Sequence, residues 1–142
     1  MKLTKKLIAL MLCILMVSSF VLPLYAATTR MNHGAYYDVI FSVSSSGLAT
    51  VYVEYEGNTT TFTDFTVKTY IQKQSLGLIW TKVDNGEPNK TWVDSSTALT
   101  DSFEHELQLD STGTYRAVFK ITISGTGAED DSFTERIEDV YS

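Results

Sequence analysis

Cysteine is almost missing from this sequence: the only one, Cys13, lies within the most apolar stretch of the chain. In the chain after Cys13, disulfide bonds, zinc–thiolate sites and thiol chemistry are therefore excluded. Only two residues are proline and 44% are hydrophobic, which excludes a disordered composition. The stability of the folded part must therefore come from the packing of a hydrophobic core.

Positive charge is also scarce. Eleven lysines and arginines stand against seventeen aspartates and glutamates, and three of the basic residues but none of the acidic ones lie in the first 26 positions. From residue 27 onward the net charge is therefore −9. Nucleic acids and anionic lipids normally call for a basic patch, so the overall charge argues against both as partners.

The beginning of the chain has the three parts of a secretory signal. They are a positive region with Lys2, Lys5 and Lys6, an apolar core over residues 7–17, and a possible cleavage site at 24–26. We predict cleavage after Ala26, so that the protein is secreted and extracellular; an uncleaved N-terminal anchor is the alternative. No later segment approaches the roughly 20 apolar residues of a membrane helix. The predicted organisation is a signal peptide (1–26), a flexible mature N-terminus (27–34) and one domain (35–142).

Helical periodicity is missing from the rest of the chain, and alternation with a period of two takes its place. In residues 114–124 two sets of side chains alternate, as in a strand with one side in water. One face carries Tyr115, Ala117, Phe119, Ile121 and Ile123, and the other carries Thr114, Arg116, Lys120, Thr122 and Ser124. Similar segments predict eight strands, at 37–43, 49–55, 65–73, 78–83, 92–93, 103–109, 114–124 and 132–141. Short antiparallel strands at this spacing indicate an all-β sandwich. Asn85-Gly86 is the strongest hairpin signal between them, and the adjoining Glu87-Pro88-Asn89 indicates a looser loop than a two-residue turn.

The segment Ser111-Thr112-Gly113-Thr114-Tyr115-Arg116-Ala117 resembles the corner and sixth strand of immunoglobulin-like domains. The resemblance implies a single antiparallel immunoglobulin-like β-sandwich of seven to eight strands, with the Tyr115 hydroxyl bonded to the backbone. Ala117 and Val51 stand where true immunoglobulin domains have their two cysteines. The third strand has no tryptophan, and Trp80 lies one strand later.

The chain also resembles a group of small secreted proteins of Gram-positive bacteria with no assigned function. The resemblance covers most of residues 47–123 and is carried by several short motifs: Ser46-Gly47-x-Ala49-Thr50, Tyr55 with Gly57 and Thr59-Thr60-Thr61, Ile71-Gln72-Lys73, Trp80 and Trp92 on either side of a predicted hairpin, and Gly113-Thr114-Tyr115-Arg116. The resemblance implies a fold and a location but supplies no catalytic residue.

No motif for catalysis or cofactor binding is present. His33 and His105 lie in no metal or triad pattern, and we expect His105 to be a half-buried histidine bonded to a neighbour. Glu129-Asp130-Asp131, together with Asp84 or Asp110, suggests a calcium site, but solvated charge is the favoured interpretation. We therefore predict no catalytic residue, no metal and no cofactor. The protein is not expected to be an enzyme, and a small carboxylate-dependent hydrolase is the disfavoured alternative.

Aromatic side chains are the remaining candidates for a functional site. Trp80, Trp92 and Tyr70 are the predicted ligand contacts, because exposed aromatic rings stack on sugars or anchor protein partners. The sequence thus predicts a secreted, monomeric binding or surface-interaction module whose ligand is an unknown protein or glycan. It predicts no nucleic-acid partner and no membrane insertion of the mature chain. The alternative is an assembly protein that pairs through the edge strand 132–141.

Overall fold

A computed structural model describes residues 31–142, so the predicted signal peptide and its cleavage site lie outside the described residues. The described part contains eight strands and one short 3₁₀ helix. The strands are β1 (Gly34–Val43), β2 (Leu48–Gly57), β3 (Phe62–Ser75), β4 (Ile79–Lys82), β5 (Trp92–Ser96), β6 (Thr100–Gln108), β7 (Gly113–Gly125) and β8 (Asp131–Tyr141), with the 3₁₀ helix at Pro88–Lys90. No helix between residues 31 and 142 has the length and apolar character needed to span a bilayer.

The strands form the predicted all-β sandwich of two antiparallel sheets. One sheet has three strands in the order β1-β2-β6, and the other has five, in which β3, β7 and β8 are consecutive and both β4 and β5 pair with the free edge of β3. Alternation along β2 and β7 gives each strand one buried and one wetter face, as expected from the sequence. The sequence left the strand order open; the structure places β1, β2 and β6 in one sheet and β3, β7 and β8 in the other, as in the sheets of immunoglobulin-like sandwiches.

Apolar side chains from both sheets fill the space between them. The largest fully buried ones include Tyr115, Phe65 and Phe119. Phe65 stacks on Tyr55 of the opposite sheet with the ring centroids 3.9 Å apart. The Tyr115 hydroxyl donates to the backbone carbonyl of Ser111, which confirms the predicted corner at the start of β7. This aromatic core holds the sandwich together in a part of the chain that has no cysteine.

The tight turn of the five-stranded sheet is not where the sequence predicts it. Asn85-Gly86 joins β4 to β5, and these strands do not pair with each other but lie one after the other along β3. The hairpin turn is at Leu76-Gly77, between β3 and β4, where both residues have positive φ (52° and 68°). Type I′ turns require positive φ at both central positions and favour Asn or Gly there, so a leucine gives no signal for this turn.

A carboxylate clamp holds the start of β1. Asp131, 6% exposed at the start of β8, accepts hydrogen bonds from the backbone N–H groups of Asn32, His33 and Gly34. The His33 side chain is fully buried. Within the segment 27–34 that the sequence predicts to be flexible, a carboxylate distant in sequence thus satisfies the backbone donors of residues 32–34; residues 27–30 lie outside the described part.

The edge of β8 lies against β1. The Tyr37 hydroxyl donates to Glu135 (2.8 Å), and the Val43 N–H donates to Asp139 (2.7 Å). Burial, together with the bond to Glu135, raises the pKa of Tyr37 to about 12. β8 is the strand predicted to pair with another chain, and here two of its side-chain carboxylates bond β1 within the molecule.

Candidate binding surface

Trp92 does not belong to a surface site. It is 8% exposed, lies on the inner face of β5 and stacks on the imidazole of His105 with the rings 4.9 Å apart and nearly parallel. His105 in turn bonds Asp94 through Nε2 (2.8 Å), so the pair joins the edges of the two sheets. The expectation of a half-buried, bonded His105 is confirmed. The surface role predicted for Trp92 is corrected, since its inward register places the indole in the core.

Trp80 lies on the outer face of the five-stranded sheet, in β4. The guanidinium of Arg116 from β7 lies over its ring, with Cζ 4.1 Å from the ring centroid. The Arg116 Nε also donates to the Gln72 side chain (2.8 Å), which fixes the guanidinium across the sheet. The indole is therefore half-buried beneath a cation.

Tyr70 lies on the same outer face, in the central strand β3, and is half-buried. The ammonium of Lys82 lies 4.1 Å from its ring centroid, and that of Lys120 lies 5.9 Å away. Lys82 Nζ also donates to the backbone oxygen of Asn89 (3.2 Å) and to Thr91 Oγ1 (2.9 Å). As for Trp80, cations approach the aromatic ring.

A cavity of about 450 Å³ lies beside Tyr70. Residues of β3, β4, β5 and β7 line it, together with the connection between β4 and β5 that contains the 3₁₀ helix Pro88–Lys90. The lining residues include Lys68, Tyr70, Lys82 and Lys120 from the strands and Glu87 and Asn89 from the connection. The cavity thus brings three lysines and one carboxylate together.

The two outer faces of the sandwich carry opposite charge. The outer face of the five-stranded sheet, here named the cationic face, has five basic residues against two acidic ones, Asp64 and Glu138; its basic residues are Lys68, Lys82, Arg116, Lys120 and Arg136. The outer face of the three-stranded sheet, here named the acidic face, has no basic residue; its carboxylates are Asp38, Glu54, Glu56, Glu104 and Glu106. The basic residues of the folded part are therefore concentrated on one sheet.

Like charges stand directly opposite each other on both faces. Lys68 on β3 pairs in register with Lys120 on β7, and Asp38 on β1 pairs with Glu54 on β2. Directly opposed like charges destabilise a sheet. On the acidic face, the hydrogen bond to Glu54 and the surrounding carboxylates raise the pKa of Tyr52. Each sheet thus retains repulsion between like charges on neighbouring strands, which residues of opposite charge at these positions would remove.

Ion pairs do not offset this repulsion. Between residues 31 and 142 the single contact within 4.0 Å between a basic side chain and a carboxylate is that of His105 with Asp94, so no lysine or arginine there neutralises a carboxylate at contact distance. Within the same residues no three histidine, aspartate or glutamate side chains are grouped to hold a metal ion. The two oxygens of Asp131, part of the acidic run considered for calcium, bind backbone N–H groups instead.

Of the three predicted contacts, the structure places Trp80 and Tyr70 together on the cationic face and Trp92 in the core. Sequence reasoning missed the lysines beside Tyr70, because they come from three strands whose pairing had to be known. A signal was present: residues 31–67, which contain β1 and β2, have no lysine or arginine. Combined with the sheet order, that gap indicates an acidic sheet facing away from a basic one.

Comparisons with known proteins do not assign the chain to a family. No family model matches it, and no curated protein is significantly similar to it. A solved structure described as the crystal structure of a protein from Archaeoglobus fulgidus is similar over 77% of this chain and 98% of its own length. The sequence identity is 14% and the TM-score is 0.33, so neither fold nor function is transferred from it.

Proposed function

We propose that this protein is an exported, non-enzymatic binding module and that the cationic face is its binding surface. The observation that carries the proposal is the separation of charge between the two sheets, with Lys68 and Lys120 left opposed and unpaired on an otherwise acidic protein. A sheet designed for stability alone would alternate charges at such positions. Repulsion retained on a surface is expected where the charges serve a ligand.

The net negative charge does not prevent an anionic ligand from approaching this face. Packed sheets lie about 10 Å apart, and side chains extend several ångströms outward from each, so the charges on the two outer faces are separated by roughly 20 Å. At physiological ionic strength the Debye length is about 8 Å. A ligand at the cationic face is therefore screened from the carboxylates of the acidic face.

In this proposal the rings of Tyr70 and Trp80 hold neighbouring cations in position. Ammonium and guanidinium groups over an aromatic ring gain about 0.5–1 kcal/mol at exposed sites. Tyr70 and Trp80 therefore restrict Lys82 and Arg116 to positions above the sheet. Because these cations approach the rings, direct stacking of sugars on the aromatic rings is disfavoured. The face instead presents positive charges that are fixed in position.

The proposal is tested by reversing charge on one face at a time. The variant Lys68→Glu/Lys120→Glu changes the opposed pair of the cationic face, and the matched control Asp38→Lys/Glu54→Lys changes the opposed pair of the acidic face. Binding is measured to isolated Gram-positive cell walls and to an array of neutral, sulfated and phosphorylated glycans.

We expect the protein to bind at least one of these materials and the cationic-face variant to lose at least about tenfold in affinity, with the acidic-face variant unchanged. Thermal unfolding of both variants checks that each is folded. Binding that is unchanged in the cationic-face variant, or binding to none of these materials, would contradict the proposal.

A further inference from the structure

The cavity around Tyr70 has the features of a site for one particular ligand class. We infer that it binds a sugar-sized unit that carries a phosphate or sulfate group, an inference that rests on the proposed binding role of the cationic face. The argument depends on how many donors converge there, on how they are held, and on what else lines the cavity.

Three lysines line one cavity, and the ammonium groups of two of them, Lys82 and Lys120, lie within 6 Å of the centroid of the same ring. A phosphate or sulfate ester presents three terminal oxygens and can accept from all three lysines, whereas a carboxylate presents two. Lysine has three N–H donors. Lys82 directs two of them to Asn89 and Thr91 within the protein, which fixes its position and leaves one donor for a ligand.

The other lining groups suit the hydroxyls and carbons of a sugar. Glu87 and Asn89 provide acceptors beside the lysines, and Pro88 and Val93 provide apolar contact. Val93 is 61% exposed on β5, next to the cavity. A volume of about 450 Å³ lies within the range of small-molecule sites, which extends from about 300 to 1,000 Å³.

The same features disfavour the other polyanions. Single-stranded nucleic acid binds through bases stacked on accessible aromatic rings, and here Lys82 and Arg116 lie over the rings of Tyr70 and Trp80. An anionic bilayer requires a protruding basic or apolar surface, while this site is concave. An acidic glycan combines hydroxyls and separated anionic groups in units of the right size.

Chemical-shift titrations of the ¹⁵N-labelled protein test the inference at low ionic strength. The probes are glucose 6-phosphate, glucose 6-sulfate, glucuronate, glucose and a short oligothymidylate. We expect the phosphate or the sulfate ester to shift amide signals of β3, β4, β7 and residues 87–91, and the two arms show which ester is preferred. Glucuronate should bind about tenfold more weakly, and glucose should produce no shifts.

Variants test the lysines of the cavity directly. Lys82→Gln and Lys120→Gln should each weaken binding of the preferred ester about tenfold, while the control Lys73→Gln, in β3 but outside the cationic face and the cavity, should leave it unchanged. Equal binding of glucuronate, tighter binding of oligothymidylate, shifts that map elsewhere, or no response to Lys82→Gln would overturn the inference. If the cell-wall and glycan assay depends on the cationic face but the esters do not bind at this cavity, the inference fails and the proposed function stands.

Discussion

Replacing Asp131 by Asn should release the start of β1. The carboxylate accepts from the backbone N–H of His33 (2.7 Å) and of Asn32 (2.8 Å), with a longer contact to Gly34 (3.3 Å). Asn retains one acceptor oxygen but directs an NH₂ group toward the same N–H donors. At least one buried backbone donor therefore loses its partner, and the negative charge that strengthened the others is removed.

The expected cost follows from the strength of these bonds. A hydrogen bond to a charged group contributes about 1.5–3 kcal/mol, and an unpaired buried donor costs about 1–3 kcal/mol. We therefore expect Asp131→Asn to lower the free energy of unfolding by about 2–3 kcal/mol. For a domain of about 100 residues this corresponds to a decrease in Tm of roughly 10 °C.

The pH dependence has a definite sign. Burial alone would raise the pKa of Asp131, but the N–H groups of His33, Asn32 and Gly34 outweigh it and lower the pKa below the ordinary value of 3.8. A carboxyl whose pKa is lower in the folded than in the unfolded state stabilises the protein above the unfolded pKa. That stabilisation is lost as the pH falls through the folded pKa. The difference between the wild type and Asp131→Asn should therefore be constant from about pH 5 to 8 and shrink below about pH 4.

Urea unfolding followed by tryptophan fluorescence at pH 7 and pH 3 measures both effects. Asp130→Asn is the matched control, because Asp130 is the exposed neighbouring carboxylate. Its free energy of unfolding should stay within about 0.5 kcal/mol of the wild type. The reasoning is refuted if Asp131→Asn is as stable as the wild type at pH 7, or if its full deficit persists at pH 3.

Two further pairs of substitutions test the turn and the tryptophans. Leu76→Asn should raise the free energy of unfolding by about 1 kcal/mol. Leu76 has positive φ and is 91% exposed, so the substitution relieves backbone strain without loss of burial. In a thermal melt, the control Leu78→Asn, at another exposed leucine, should give no gain in stability. Trp92→Ala should cost about 3–5 kcal/mol because it empties a core position, whereas Trp80→Ala should change stability by less than about 1 kcal/mol and weaken glycan binding. Equal melting temperatures for the two tryptophan variants would contradict their placement.

The alternation of apolar side chains was sufficient to predict the strands and the class of fold. Each strand has its own inner and outer set, so the pattern in residues 114–124 already described β7 without knowledge of its neighbours. The corner at Tyr115 was also predictable, because the turn residues and the tyrosine lie within a few positions of each other. These features depend on local spacing.

The candidate site depends instead on which strands are neighbours. Lys68 and Lys120 meet only because β3 pairs with β7, and the inward orientation of Trp92 follows from its register opposite Thr69. The hairpin at Leu76-Gly77 escaped prediction because a leucine occupies a position that normally carries Asn or Gly. The separation of charge becomes visible only when the strands are assigned to their sheets.

Retention on immobilised heparin, a sulfated glycan, tests the central claim most directly, because a protein with an isoelectric point near 4.8 is not expected to bind a polyanion at pH 7.4. If the cationic face acts independently of the acidic one, the wild-type protein binds in about 20 mM salt and elutes below about 0.5 M, as screening weakens the contacts. Lys68→Glu/Lys120→Glu should pass through unbound, and Asp38→Lys/Glu54→Lys should be retained. Passage of the wild-type protein through the column at low salt would contradict the account.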